Sequence, residues 1–258
     1  MRCLAIIAAG NSKRMGGIPK ALSFVDGIPN LENTLLKVTD IDIFDKIFVI
    51  SNKTNYKDFM HVIDMCKSKH NINIVECISI ESGRGCGHAV METMNQLISL
   101  NLSELTICWG DVYFRDGKIF REIVEKGLIC QNFIMPVVFE NNPYVWIEEL
   151  RPDDVKDKNI KWANFSKRGE TAECGYHDQS LFRFNFMSIY NALKTMHNVL
   201  NKNGVYYSEN KEMIFLDVLR YLHNCEKHAA YYVTEYQTFG YNTETELDEL
   251  NEYLKIID

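Results

Sequence analysis

Through its first half the chain alternates continuous apolar runs with stretches whose apolar residues recur at helical spacing, and this alternation restricts the fold more than any other feature. "CLAIIAA" (3–9), "KIFVISN" (46–52), "INIVECI" (72–78) and "ELTICWGD" (104–111) read as buried strands. Between them, "NLENTLLKVTDI" places Leu31, Leu35 and Val38 on one face, and "YKDFMHVIDMCKSK" does the same with Phe59, Val62, Ile63 and Cys66. "GHAVMETMNQLISL" is a third helical stretch. Buried runs separated by amphipathic helices form βαβ units with right-handed crossovers. The expected class is α/β, a Rossmann-like, mostly parallel sheet flanked by helices.

After about residue 130 the alternation gives way to consecutive strand-like runs, "NFIMPVVFE", "PYVWIEEL", "IKWANFS" and "SLFRFNF", with the loop-like "RPDDVKDKN" between them. Helices are expected at "FMSIYNALKTMHNVL", "KEMIFLDVLRYL" and "TETELDELNEYLKII", and a strand at "AAYYVTEY". The 258 residues suit a single domain (1–258), with a nucleotide-type half over 1–130 and a smaller β-rich half over 131–258.

Composition removes several classes of function. The net charge of −7 argues against a general nucleic-acid surface. No apolar run approaches the length that crosses a bilayer, and the short first strand lacks the features of a leader, so a cytoplasmic protein is expected. The cysteines at 3, 66, 77, 86, 108, 130, 174 and 225 stand singly, without CxxC or zinc spacing, and read as reduced, mostly buried thiols.

Ligands of open α/β sheets bind beyond the carboxyl ends of the strands. The loop after the first run, "GNSKRMGGIPK" (10–20), gathers Lys13, Arg14 and Lys20 with three glycines and a proline. It is neither a P-loop nor a GxGxxG fingerprint. Glycine-rich backbone with a lysine and an arginine suits a polyphosphate; a solvated basic turn is the alternative. "ESGRGCGHAV" (81–90) spaces three glycines ahead of a helix, for close approach to a ligand or for its own turn. Asp111 ends "LTICWGD" as a Mg²⁺ ligand or as a helix cap.

Together these features resemble the nucleotidyltransferase family that makes nucleotide-activated sugars and alcohols. "AAGNSKRM" followed by "PKAL" is similar to its signature loop, and "GCGHAV" resembles a segment of the N-acetylglucosamine-1-phosphate uridylyltransferase domain. "WGD" resembles the metal-binding strand end, "DGIPNLENTL" a segment of bacterial choline-phosphate cytidylyltransferases, and "TFGYNTETELDEL" the second metal segment. The resemblance implies a nucleotide-diphospho-sugar transferase type of fold, with an acceptor-binding part in the second half. It implies NTP contacts at Ala8, Ala9, Gly10, Asn11, Gly85, Cys86, Gly87 and His88. Arg14 is expected on the departing pyrophosphate, Lys20 on the α-phosphate and the acceptor phosphate, and Mg²⁺ on Asp111 and Asn242.

The implied reaction is transfer of a nucleoside monophosphate to the phosphate of a small acceptor, releasing pyrophosphate, for surface-polysaccharide precursors. A phosphate monoester is already an ionised nucleophile, so alignment and charge neutralisation are sufficient chemistry. His88 is then structural or touches the nucleotide, and Tyr144, Trp146, Trp162 and Tyr176 belong to the core or to an acceptor pocket. Ile80 stands where the uridylyltransferases carry a base-reading glutamine, and Val145, Phe165 and Asp178 stand where their sugar-holding residues fall. These departures, with the absence of hexapeptide repeats, favour CTP over UTP and an acceptor other than N-acetylglucosamine 1-phosphate. A sugar-1-phosphate uridylyltransferase, a molybdenum-cofactor guanylyltransferase and a non-catalytic nucleotide-binding protein are the competing readings.

Overall fold

The computed structural model describes residues 1–81, 83–127, 132–141, 145–150, 160–168, 174–208, 211–222, 230–233 and 238–257. In chain order its elements begin with β1 (Cys3–Ala8), the short β2 (Phe24–Val25) and β3 (Ile28–Pro29), α1 (Asn30–Asp40), β4 (Lys46–Asn52), α2 (Tyr56–His70) and β5 (Val75–Ile80). There follow α3 (Cys86–Leu97), β6 (Glu104–Trp109), β7 (Val112–Phe114) and α4 (Lys118–Gly127). Next come β8 (Phe133–Asn141), β9 (Val145–Leu150), β10 (Ile160–Arg168), β11 (Cys174–Asp178), β12 (Leu181–Asn185) and α5 (Phe186–Leu200). The chain continues through β13 (Asn201–Lys202), β14 (Val205–Tyr206), β15 (Ala230–Val233), β16 (Thr238–Gly240) and α6 (Glu244–Ile257). The strand run 46–52 and the helices 186–200 and 244–257 fall where periodicity places them.

Two compact units emerge, and their boundary does not follow the division near residue 130. The first comprises Met1–Gly83, Ile107–Arg121 and Gln237–Asp258; the second comprises Arg84–Thr106 and Glu122–Tyr236. In the first unit β1 pairs parallel with β4 (Cys3↔Lys46 to Ala8↔Ser51), and β4 pairs parallel with β5 (Ile47↔Val75 to Asn52↔Ile80). The apolar side chains of β1 and β4 are almost wholly buried: Leu4, Ala5, Ile47, Val49 and Ile50 show no exposed surface. Parallel pairing brings the carboxyl ends of these strands to one edge, which is where the chemistry of such sheets collects. A separate small core of Met15, Val25, Tyr113, Tyr241, Leu250 and Leu254 joins the basic loop, β7 and α6.

A buried carboxylate ties α1 to α2 in this unit. Glu32 is 1% exposed and takes hydrogen bonds from His70 and Lys69, both at 2.9 Å. Burial pushes its carboxyl up, but the hydrogen bonds from His70 and Lys69 outweigh that and hold it below the ordinary carboxylate value.

The second unit is mostly antiparallel, and its pairings form a closed circuit. β8 runs beside β15 in parallel, while β15–β10, β10–β9, β9–β11 and β11–β8 are antiparallel. β12 adds to β8 on its other side. Phe133, Phe182 and Phe184 converge on Phe215, with ring centroids 5.2–6.1 Å from it. Phe215 opens the segment where the sequence suggests an α-helix, yet residues Phe215–Tyr221 form a 3₁₀ helix. The amide of Phe215, one of the first N–H groups that a helix leaves unpaired, donates to Cys86 Sγ at 3.3 Å.

Besides the two- and three-residue strands, the periodicity reading missed α4, whose Ile119, Phe120, Ile123 and Val124 are buried at helical spacing, and β11. The loop "RPDDVKDKN" lies outside the described residues, as do Tyr144, Cys130, Cys225 and the side chains of Val145, Trp146, Trp162 and Phe165. Tyr176 packs edge-on against Phe139 at 5.4 Å. Asp178 is buried and accepts from the amide of Ser180. Cys3, Cys66 and Cys108 are buried free thiols, whereas Cys174 is exposed. Among the described residues no helix is long and apolar enough to cross a membrane.

Candidate active site

The basic loop of the first unit is knotted on Ser12. Ser12 adopts a left-handed conformation (φ 45°), and its carbonyl accepts from the amides of Met15 at 2.9 Å and Gly17 at 3.3 Å. Its hydroxyl accepts from the amide of Lys20 at 3.1 Å. Met15 is 3% exposed and pins the 3₁₀ turn Lys13–Met15 to the small core, leaving Arg14 exposed beside it. Gly17, at φ 90°, takes a conformation that L-residues rarely adopt. Gly10 is different: a Cβ there would meet nothing within 4 Å, so packing does not require its glycine. Its carbonyl accepts from Asn52 Nδ2 at 3.2 Å, which ties the loop to the end of β4.

Three residues distant in sequence meet at the end of this loop. Lys20 Nζ lies 2.7 Å from Asp111 Oδ2 and 2.9 Å from Asn242 Oδ1. Asp111 follows β6, and the carbonyls on either side of it, those of Gly110 and Val112, both accept from Asn30 Nδ2, at 3.2 and 3.0 Å. Asn30 is fully buried at the start of α1, so it acts as a clamp on the backbone that carries Asp111. Gly110 is demanded by packing, since a Cβ would come within 2.7 Å of Ala8 Cβ.

Asn242 is held by the cap of α6. Glu246 donates its amide to Thr243 Oγ1 at 3.2 Å, and its carboxylate accepts from the amide of Asn242 at 2.5 Å. This is a variant of the capping box in which the glutamate reaches one residue further back. Tyr241, 1% exposed, donates its hydroxyl to the Lys20 carbonyl at 2.7 Å, and burial pushes its phenol well above the ordinary value. Lys20, Asp111 and Asn242 are therefore brought together within one unit. Ala8 ends β1, and Ala9, Gly10 and Asn11 lead into the loop, with Ala9 buried and Gly10 and Asn11 exposed.

Gly85, Cys86, Gly87 and His88 belong to the second unit, and there the chain itself makes the close approach that the glycines permit. Met213 donates its amide to the Arg84 carbonyl at 2.9 Å, and its carbonyl accepts from the amide of Gly87 at 2.8 Å. A Cβ on Gly85, whose φ is +93°, would lie 2.5 Å from that same Met213 oxygen. His88 is buried, its ring centroid 6.1 Å from Tyr206 and 6.3 Å from His197. Burial holds both imidazoles below the ordinary histidine value, so they are neutral near pH 7.

Among the described residues no three His, Cys, Asp or Glu side chains cluster as a metal cage. Asp111 and Asn242 instead offer two oxygens that already converge on one cation, the Lys20 ammonium. A hard oxygen pair completed by substrate phosphates and water is the usual seat of Mg²⁺, so these residues fit that ion. Sequence reasoning overlooked Ser12, Asn30 and Tyr241, whose roles depend on tertiary contacts; Thr243 and Glu246 carried a legible capping signal.

The sequence profile of the MobA-like NTP transferase domain matches residues 4–152. Among solved structures the fold is similar to that of a UDP-glucose pyrophosphorylase complexed with UDP-glucose (TM-score 0.76, 11% identity, 100% of both chains covered). It is also similar to 4-diphosphocytidyl-2C-methyl-D-erythritol synthase from Anaerococcus prevotii (TM-score 0.67, 15% identity, 99% of this chain and 96% of that one). HddC from Yersinia pseudotuberculosis superposes with a TM-score of 0.65 at 16% identity, over 98% of this chain and 100% of the other. No curated protein matches by sequence. The expected α/β architecture of nucleotide-diphospho-sugar transferase type is thus the observed one.

Proposed function

The chain belongs to the MobA-like NTP transferase domain family, and on that premise we propose that it is a Mg²⁺-dependent nucleotidyltransferase that moves a nucleoside monophosphate from CTP, or less well UTP, to a phosphorylated small molecule. The observation that carries the reading is the convergence of Lys20, Asp111 and Asn242 beside the Ser12-knotted loop at the carboxyl end of the parallel strands. An acceptor phosphate oxygen attacks the α-phosphorus, the bond from that phosphorus to the β-phosphate oxygen breaks, and pyrophosphate leaves. Asp111 and Asn242 would hold the Mg²⁺, which supplies positive charge to the phosphates. Arg14, exposed on its turn, binds the departing pyrophosphate, and Lys20 neutralises the α-phosphate and the incoming phosphate. The open space at Gly10 admits the nucleotide close to backbone.

No general base is called for, because both reacting partners are anions that have only to be aligned. Such well-placed charges each contribute on the order of 3–4 kcal/mol to the transition state. The preference for cytosine is supported by Ile80, buried at the end of β5 and unable to hydrogen-bond a base. A site that lacks one expected partner discriminates against the base that needs it. A role in surface-polysaccharide precursor synthesis follows from the resemblance to the choline-phosphate enzymes.

The test is pyrophosphate release with CTP, UTP, ATP and GTP against a panel of phosphorylated alcohols, amines and sugars. CTP with one acceptor should give the highest kcat/KM. A clear preference for GTP would favour guanylyl transfer and overturn the pyrimidine assignment, and release with no pair would point to a non-catalytic nucleotide-binding protein.

A further inference from the structure

We infer that Lys20 is the resident occupant of the metal position, its ammonium holding Asp111 and Asn242 until nucleotide arrives to take that ammonium away; the inference rests on the nucleotidyltransferase reading above. The two oxygens proposed as metal ligands are the same two that Lys20 Nζ contacts, at 2.7 and 2.9 Å. The cation is the inner partner of the pair: the Lys20 side chain is 16% exposed and that of Asp111 is 39% exposed. The root of the lysine is fixed on both sides, by the bond from its amide to Ser12 Oγ and by the bond from Tyr241 to its carbonyl. Its four-carbon stem carries several rotatable bonds, through which the ammonium can change partners while the backbone stays in place.

An ammonium and a divalent cation repel each other, so seating both on the same two oxygens is costly. In the nucleotide-free chain, metal binding therefore competes with the charge-assisted hydrogen bond from Lys20 to Asp111. Once nucleotide phosphates lie against the loop, Lys20 has a second anion to neutralise and vacates Asp111 and Asn242. Nucleotide then tightens metal binding, and by linkage metal tightens nucleotide binding by the same factor. The lysine that acts on the phosphates thus also keeps the two ligands oriented and discourages metal from binding alone.

The experiment is Mn²⁺ binding to the whole chain without nucleotide, followed by electron paramagnetic resonance, in wild type, Lys20→Met and Lys20→Gln. Two neutral variants are used so that a folding defect in one leaves the other informative. At least a tenfold tightening in a folded neutral variant, lost again when Asp111→Asn is added, is the expected result. Lys20→Arg, which keeps the charge, should stay as weak as wild type. Equal Mn²⁺ affinity in wild type and both neutral variants would overturn the role of Lys20. The metal assignment is read separately, with CTP present. If Asp111→Asn then holds Mn²⁺ as tightly as wild type, the assignment of Asp111, and with it the proposed function, falls; if it does not, a negative result on Lys20 leaves the function standing.

Discussion

Replacing Asn30 by alanine tests whether the buried amide clamps the strand end that carries Asp111. Asn30 Nδ2 donates to the carbonyls of Gly110 and Val112, the residues on either side of Asp111, from a position with no solvent exposure. Each such bond contributes about 1 kcal/mol net, so Asn30→Ala should lose about 2 kcal/mol, rising to about 4 where both carbonyls stay shut off from water. For a chain of this size the lower figure corresponds to a fall in Tm of roughly 4–8 °C. Calorimetry gives the stability, and the Mg²⁺ concentration for half-maximal pyrophosphate release gives the function. A partner that orients a ligand typically changes metal affinity by about 10–100-fold, so that concentration should rise at least about tenfold. A Tm within about 1 °C of wild type, together with an unchanged Mg²⁺ requirement, would refute the clamp.

Further outcomes follow from other contacts. Asp111→Asn should reduce turnover at least about a hundredfold while melting near the wild-type temperature, measured by steady-state pyrophosphate release. Arg14→Ala should weaken NTP binding in a calorimetric titration and leave Tm unchanged, since Arg14 is exposed. Gly85→Ala forces a side chain to within 2.5 Å of the Met213 carbonyl at a φ of +93°, so it should destabilise the second unit by more than about 2 kcal/mol in urea unfolding. Glu32 is held below the ordinary carboxyl value of 4.5 by His70 and Lys69, so its contribution is complete above that value and is lost as pH falls below it. The stability gap between wild type and Glu32→Gln, followed by denaturant melts, should therefore close below about pH 4.5 and persist at neutral pH.

Much of the first unit was legible because its information is local. In "KIFVISN" the run Ile47–Ile50 is apolar without a break, as a strand buried on both faces is, and β4 occupies those residues. The basic loop and Asp111 were visible as charges placed at strand ends. Their meeting with Asn242 was legible only through a family resemblance, because no periodicity links Lys20 to a residue 222 positions away. Glycine carried the ambiguity: Gly10, Gly85 and Gly110 look alike in sequence. One faces open space, one accommodates the Met213 backbone and one admits the side chain of Ala8, and only tertiary contacts separate these cases. Asn30 read as part of an ordinary helix start, because a buried amide is recognised by the carbonyls it serves, and those lie beyond any local window.

The capped start of α6 sets an order in time as well as in space. During synthesis the ribosome releases Lys20 and its loop early, but the Asn242 oxygen that meets Lys20 emerges 222 residues later. At ordinary elongation rates that interval is on the order of 10–45 s. Throughout it the loop can close on Ser12, and Asp111 can join once β6 is made, yet Lys20 lacks its second anchor and Tyr241 has not reached its carbonyl. A nascent chain halted between Asp111 and Asn242 has already made β1, β4 and β5 and the Lys20–Asp111 pair, and it lacks the Asn242 oxygen, so the charge cluster closes in a single late step when α6 docks.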